Sequence, residues 1–143
     1  MQPIGRDLAA TAKALDRAFS AALAEAGGSL PVWLILLALK QQPWRTQQEL
    51  AAAVGIEGPT LTHHLDGMES AALIARERDP ADRRAVRVEL TGEGDARFRA
   101  LRGAAMAFDR RLRRGVSDEE ADELRRLLAR LRENVGAAAT ATA

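Results

Sequence analysis

The chain has no cysteine, two histidines and two tryptophans in 143 residues, and aromatic residues make up 3% of it. Without cysteine there is no disulfide framework, thiol nucleophile, iron–sulfur cluster or cysteine-ligated zinc. The same absence excludes thiol oxidation as a switch. No run of about 18 apolar residues occurs, so no membrane span is expected. Met1 to Asp7 lack a basic stretch leading into an apolar core, so no signal peptide is expected and the cytoplasm is the default location. No carboxylate pair, nucleophile–base pair or phosphate-cradling glycine loop has convincing spacing, so neither an enzyme nor a cofactor is expected. Gly92-Glu93-Gly94 reads as a helix-start turn. An excess of one charge sign is nearly absent too: the net charge is +1, which taken alone argues against a nucleic-acid partner.

What is present is a chain with 47% hydrophobic and 29% charged residues, long enough to bury a core without a metal or disulfide staple. Its charge is segregated. Residues 1–75 carry −2, residues 76–114 carry +5 and residues 115–143 carry −2. The central excess is arginine alone, whose rigid fork of donors suits phosphates, bases and carboxylates. A solvated, ion-paired helix face is the alternative account of such a run.

Most of the sequence has helical periodicity. Leu8, Ala12, Leu15, Phe19, Ala22 and Ala26 form one stripe, which Gly27 and Gly28 end. Ser29 and Pro31 open a second helix, whose run from Val32 to Leu39 is apolar nearly all round and reads as a buried centre ending at Pro43. Thr46 and Glu49 make a capping box for a short helix over 47–53, ending at Gly55. A further helix starts at Gly58-Pro59 and runs to about Ala71. The period then drops to two: Ile74 to Arg78 and Ala85 to Leu90 read as strands joined by Asp79-Pro80-Ala81-Asp82, an arginine-tipped hairpin. Thr91 opens a helix carrying Phe98, Leu101, Ala105, Phe108 and Leu112. Gly115 breaks it, and a Ser117/Glu120 capping box starts a last helix with Ala121, Leu124, Leu128, Leu131 and Val135 on one stripe. Residues 136–143 read as a disordered tail.

Residues 47–68 hold two helices joined by a tight turn. Ala51 supplies a small contact residue, Gly55 a turn residue free to take positive φ, and Leu61 an apolar side chain pointing back into the crossing. At about 100° per residue, Leu61, Leu65 and Met68 share the core face of the second helix. Pro59, Thr60, Thr62 and His63 lie outward, a small polar surface suited to a major groove. Asp66 sits a turn further on. His63 and His64 diverge by about 100° and have no third nitrogen or sulfur ligand, so no metal site is expected. His64 reads as a partly buried packing residue.

A helix–turn–helix followed by an arginine-tipped hairpin, between long terminal helices, resembles the MarR family of winged-helix transcriptional regulators over about residues 6–135. The wing, from Asp79-Pro80-Ala81-Asp82-Arg83-Arg84 to Leu90-Thr91, is similar to the family's D-P-x-D-x-R…L-T signature. Leu65-Asp66-Gly67-Met68-Glu69 and Leu73-Ile74 resemble its recognition-helix end. The resemblance implies a mainly α fold with a small β-hairpin wing, a winged helix-turn-helix with N- and C-terminal dimerisation helices. It makes the chain one domain, with dimerisation helices at 6–28 and 91–135 and the DNA-binding region at 30–90.

It further implies a homodimer on a palindromic double-stranded DNA operator, with repression the family's commoner outcome. Arg84, held by Asp82, would enter the minor groove, where negative potential concentrates. Arg83 would reach the backbone, and Pro59, Thr60, Thr62 and His63 would line the major groove, with Thr46 and Gln47 added as expected contacts. The stripes around Phe19, Phe108 and Leu128 would form the subunit interface. Family members commonly release DNA when a small, often aromatic, effector enters between the dimer helices and the winged region. Candidate pocket residues are Phe19, Trp33, Leu37 and Trp44, with ordinary core packing the alternative for Phe19 and Trp33, and Trp44 expected in a loop. His63 and Gly67 stand where many members carry arginine, so relatives do not give the operator sequence. The reading that competes with all this is a helical interaction module, anti-activator or antitoxin-like, on a winged-helix scaffold that does not read DNA.

Overall fold

Three-four spacing of apolar residues makes the N-terminal part of the chain helical. In the computed structural model, which describes residues 1–136, α1 spans Ile4–Glu25 and α2 spans Leu30–Gln41. Ser29 caps α2 by accepting the Val32 amide at 3.3 Å, and Pro31 occupies its first turn. α2 buries Ile35, Leu36, Ala38 and Leu39, as an all-round apolar helix must. On α1 the expected stripe is half-buried except for exposed Ala12, and the fully covered side chain is Leu23, one turn on from Phe19.

After Pro43 the chain forms a strand, β1 (Trp44–Thr46), where a loop is expected for Trp44. Then follow α3 (Gln47–Val54), α4 (Gly58–Ser70), β2 (Ile74–Arg78) and β3 (Val86–Leu90). The expected two-stranded hairpin is therefore part of a three-stranded antiparallel sheet in the order β1-β3-β2. Trp44 lies opposite Glu89, Ile74 opposite Leu90 and Arg76 opposite Val88. A three-residue strand is too short to display a period of two, and its partner lies across two helices in sequence. Leu23, the buried face of α2, Leu50, Leu61, Leu65, Met68, Leu73, Ile74, Val88, Phe98 and Leu101 make one core.

Helix α5 spans Gly92–Leu112 and α6 spans Asp118–Asn134. The chain divides into two compact units, one ending at Phe108 and the other beginning at Asp109. In the first, α5 starts against the α4–β2 turn. Thr91 donates its amide to the Leu73 carbonyl at 3.2 Å and its hydroxyl to the Ala72 carbonyl at 2.6 Å, and its hydroxyl accepts the Gly94 amide at 3.0 Å. Gly94 has no room for a side chain, because a Cβ would lie 2.7 Å from the Leu90 methyl and 3.0 Å from the Leu73 carbonyl carbon. Phe19 and Phe108 close on each other, with ring centroids 5.0 Å apart and Phe108 buried. These two are expected near a subunit interface; within the chain they pack against each other.

In the second unit Gly115 takes φ +79°, and Ser117 and Glu120 exchange both bonds of a capping box. Such a cap stabilises a helix by about 1 kcal/mol. Just past α5, Arg113 is tied down locally, pairing with Asp118 at 2.6 Å and with Asp109 at 3.8 Å. Leu112, Leu124, Leu127 and Val135 remain exposed. Of the expected tail, residues 137–143 lie outside the described residues.

Candidate nucleic-acid interface

The two helices α3 and α4 are held by the residues their sequence offers. Thr46 accepts the Glu49 amide at 3.1 Å to start α3; the reciprocal half of a capping box forms at Ser117 but is not part of this cap. Gly55 takes φ +70°, a conformation that disfavours any residue with a Cβ. Its amide and that of Ile56 both donate to the Ala51 carbonyl, at 2.9 and 3.2 Å, which closes the turn. α4 then buries Leu61, Leu65 and Met68, and truncating any one of them would cost about 2–5 kcal/mol.

Pro59, Thr60, Thr62 and His63 are all exposed, and His64 is half-buried. The Thr62 hydroxyl donates to the Gly58 carbonyl at 3.0 Å, so it offers a partner its lone pairs and methyl group. The imidazoles of His63 and His64 stand 5.8 Å apart and tilted by 59°. Among the described residues no group of three or more His, Asp or Glu is placed to hold a metal ion.

The wing is a closed turn built by its own backbone. The Asp79 amide donates to the Ala85 carbonyl and the Ala85 amide to the Asp82 carbonyl, both at 2.9 Å. Asp79 accepts the Ala81 amide at 2.9 Å and Asp82 accepts the Arg84 amide at 3.0 Å. Asp82 thus holds the backbone of Arg84 and not its guanidinium, because a side chain two residues back fits an Asx-type turn. Arg78 donates to the Arg83 carbonyl at 2.9 Å and stiffens the tip from β2. Arg83 and Arg84 are both exposed.

Thr46, Gln47, Asp82 and Arg84 line one open cleft of about 640 Å³ between the start of α3 and the wing, joined by Gln48, Glu49 and Asp79. His63 lines a different cavity of about 440 Å³, with His64, Asp66, Gly67, Met68 and Arg97. Pro59, Thr60, Thr62 and Arg83 line neither. None of the four effector candidates lines either cavity. Phe19 meets Phe108, Trp33 stacks on Phe98 at 5.5 Å, and Leu37 packs against the core. Trp44, on the edge strand, lies under the Arg87 guanidinium at 4.1 Å. Scarcity of aromatics pointed to these residues, and scarcity does not select for a shared cavity.

Two positions were passed over by the sequence reading. Arg78 braces the tip, and Arg76 bonds Asp66 at 2.6 Å and Glu69 at 3.1 Å. Hydrogen bonding to Arg76 holds the Glu69 carboxyl below the usual carboxylate range, and the same bond raises the Arg76 guanidinium. The readable signal was the strand period, which puts Arg76 on the same face as buried Ile74, where an arginine needs an acid partner.

Residues 29–86 match the MarR family. This stretch, which holds the helix–turn–helix and most of the wing, is similar to that family in sequence. Nine-tenths or more of the chain superposes on solved MarR-family structures. A transcriptional repressor, CouR, bound to a 23-mer DNA duplex is 28% identical, with a TM-score of 0.81 over 90% of this chain and 92% of that one. A mutant of MarR from E. coli complexed with operator DNA is 23% identical, with a TM-score of 0.79 over 90% and 93%. A further MarR family transcription regulator is 24% identical, with a TM-score of 0.81 over 97% and 90%.

Proposed function

We propose that the chain is a DNA-binding transcription regulator, a repressor that binds a palindromic operator as a homodimer. MarR-family proteins are transcription factors rather than enzymes, and two of the similar structures hold DNA. One observation carries the reading: a small polar α4 face and a wing tip with two exposed arginines stand in one unit, within a chain whose basic excess is confined to residues 76–114.

In the proposed complex two copies of α4 enter successive major grooves about 34–36 Å apart. Pro59, Thr60, Thr62 and His63 read base edges. Arg84 enters the flanking minor groove, Arg83 meets the backbone, and Thr46 and Gln47 meet phosphates beside the Arg84 cleft. Phosphate contacts set affinity and its salt slope, and base contacts set sequence preference. Leu112, Leu124, Leu127 and Val135 supply apolar surface for a partner copy. Effector control is assigned to the cavity of about 440 Å³, because it shares α4 with the reading face and offers Arg97 and His64 to a small aromatic acid.

The test is selection of duplexes from a random pool, then gel shifts of the selected duplex at two salt concentrations. Arg84→Ala is expected to weaken binding by about tenfold or more, roughly 1.4 kcal/mol. Equal affinity for wild type and Arg84→Ala, or binding indifferent to salt, would favour a protein-interaction module and end the proposal.

A further inference from the structure

Arginine is costly to bury without a partner. Arg76 faces the inner side of the wing sheet, directly opposite fully buried Val88 and two residues from buried Ile74, and its side chain is only 17% exposed. Its partners come from another element. Asp66 and Glu69, three residues apart on α4, both bond its guanidinium, at 2.6 and 3.1 Å. Glu69 also accepts the Arg76 backbone amide at 3.2 Å. That amide belongs to β2, an edge strand of the sheet, so the carboxylate caps a backbone donor the ladder leaves open. Three charge-assisted bonds therefore tie the second half of α4 to the first half of the wing, across the 71–73 turn.

We infer that the Glu69–Arg76 link is a positioning device that fixes the wing tip relative to the α4 reading face, so that major and minor groove are engaged as one surface. This inference rests on the proposed DNA reading. Arg76 touches no DNA in this scheme; it acts through Arg83 and Arg84, two turns of strand away. Lysine at position 76 keeps the charge but is shorter and more strongly hydrated, and lacks the planar guanidinium whose Nη2 bonds both acids.

The experiment is a double-mutant cycle on the duplex selected by the wild-type chain, using Glu69→Gln, Arg76→Lys and Arg84→Ala. Glu69→Gln and Arg76→Lys are expected to lower affinity about fivefold or more at a temperature where both variants remain fully folded. The diagnostic reading is the coupling: Arg84→Ala should cost about tenfold in wild type and under about threefold in Glu69→Gln, because an unseated wing has less to lose. An equal Arg84→Ala cost in both backgrounds overturns the inference. Hydrogen exchange without DNA provides a separate reading. In Glu69→Gln the Asp79 and Ala85 amides should exchange faster, with the α2 amides unchanged; unchanged wing exchange overturns the inference as well. If the wild-type chain selects no duplex, the DNA reading itself fails, and wing exchange alone then decides whether the link seats the wing.

Discussion

Replacing Gly94 by alanine sets two effects of opposite sign against each other. In an isolated helix the change is favourable by about 1 kcal/mol, since alanine loses less backbone entropy than glycine. Here the new methyl would sit on the Leu73 carbonyl group, with its carbon 3.0 Å away, and within 2.7 Å of the Leu90 methyl. The leucine methyl can rotate, but the carbonyl is backbone and cannot. To relieve the contact, the start of α5 must back away from the α4–β2 turn. That movement stretches the Thr91 bonds to Leu73 at 3.2 Å and to Ala72 at 2.6 Å. Each weakened bond forfeits about 0.5–1.5 kcal/mol, and the overpacking adds about 1–3 kcal/mol. Set against the propensity gain, the net is a destabilisation of about 1–5 kcal/mol, read from the midpoint of urea denaturation at unchanged slope. A variant as stable as wild type, or more so, would show that the junction yields freely and that the close approach does not govern this position.

The same junction gives a change of opposite sign. Ala72 holds φ +62°, so Ala72→Gly should remove about 1–2 kcal/mol of left-handed strain against about 0.4–1 kcal/mol of added unfolded-state entropy. A rise of about 2–4 °C in melting temperature is expected, and a fall contradicts the strain argument. Glu69 is held below its ordinary value of 4.5, so its link to Arg76 contributes stability above that value and loses it as pH falls through the lowered one. The stability difference between wild type and Glu69→Gln should therefore be level from neutral pH down to the carboxylate range and vanish below it, as urea titrations at several pH values would register. On the proposed reading His63→Ala should cost about 1–3 kcal/mol and relax preference at one base position, scored by repeating the duplex selection.

Local chemistry announced much of this fold in the sequence. Ser29, Thr46 and Ser117 cap the helices they precede, Gly55 turns where it must, and Leu61, Leu65 and Met68 face inward at helical spacing. The exposed members of the reading face follow from the same arithmetic. What escaped depends on contacts between distant segments. β1 exists because β3 pairs with it, so Trp44 reads as loop residue until the sheet is assembled. Gly94 looks like a helix-start glycine, and only the Leu73 carbonyl explains why nothing larger fits. Asp82 is expected to hold Arg84, and only the turn geometry reveals that the contact is to the Arg84 amide. Aromatic scarcity likewise could not tell Phe19, tilted against Phe108, and Trp33, stacked on Phe98, from pocket walls.

Thr91 pins both ends of the wing to a single point, bonding the Ala72 and Leu73 carbonyls just before β2 begins and directly after β3 ends. The strands between become a closed lobe whose base does not depend on how long its tip is. Lengthening a closed loop is cheap, about 0.6 kcal/mol for each doubling. Insertions between Asp79 and Ala85 should therefore leave α4 untouched. The reach of the lobe and the face of the helix can then vary independently across generations, each under its own selection.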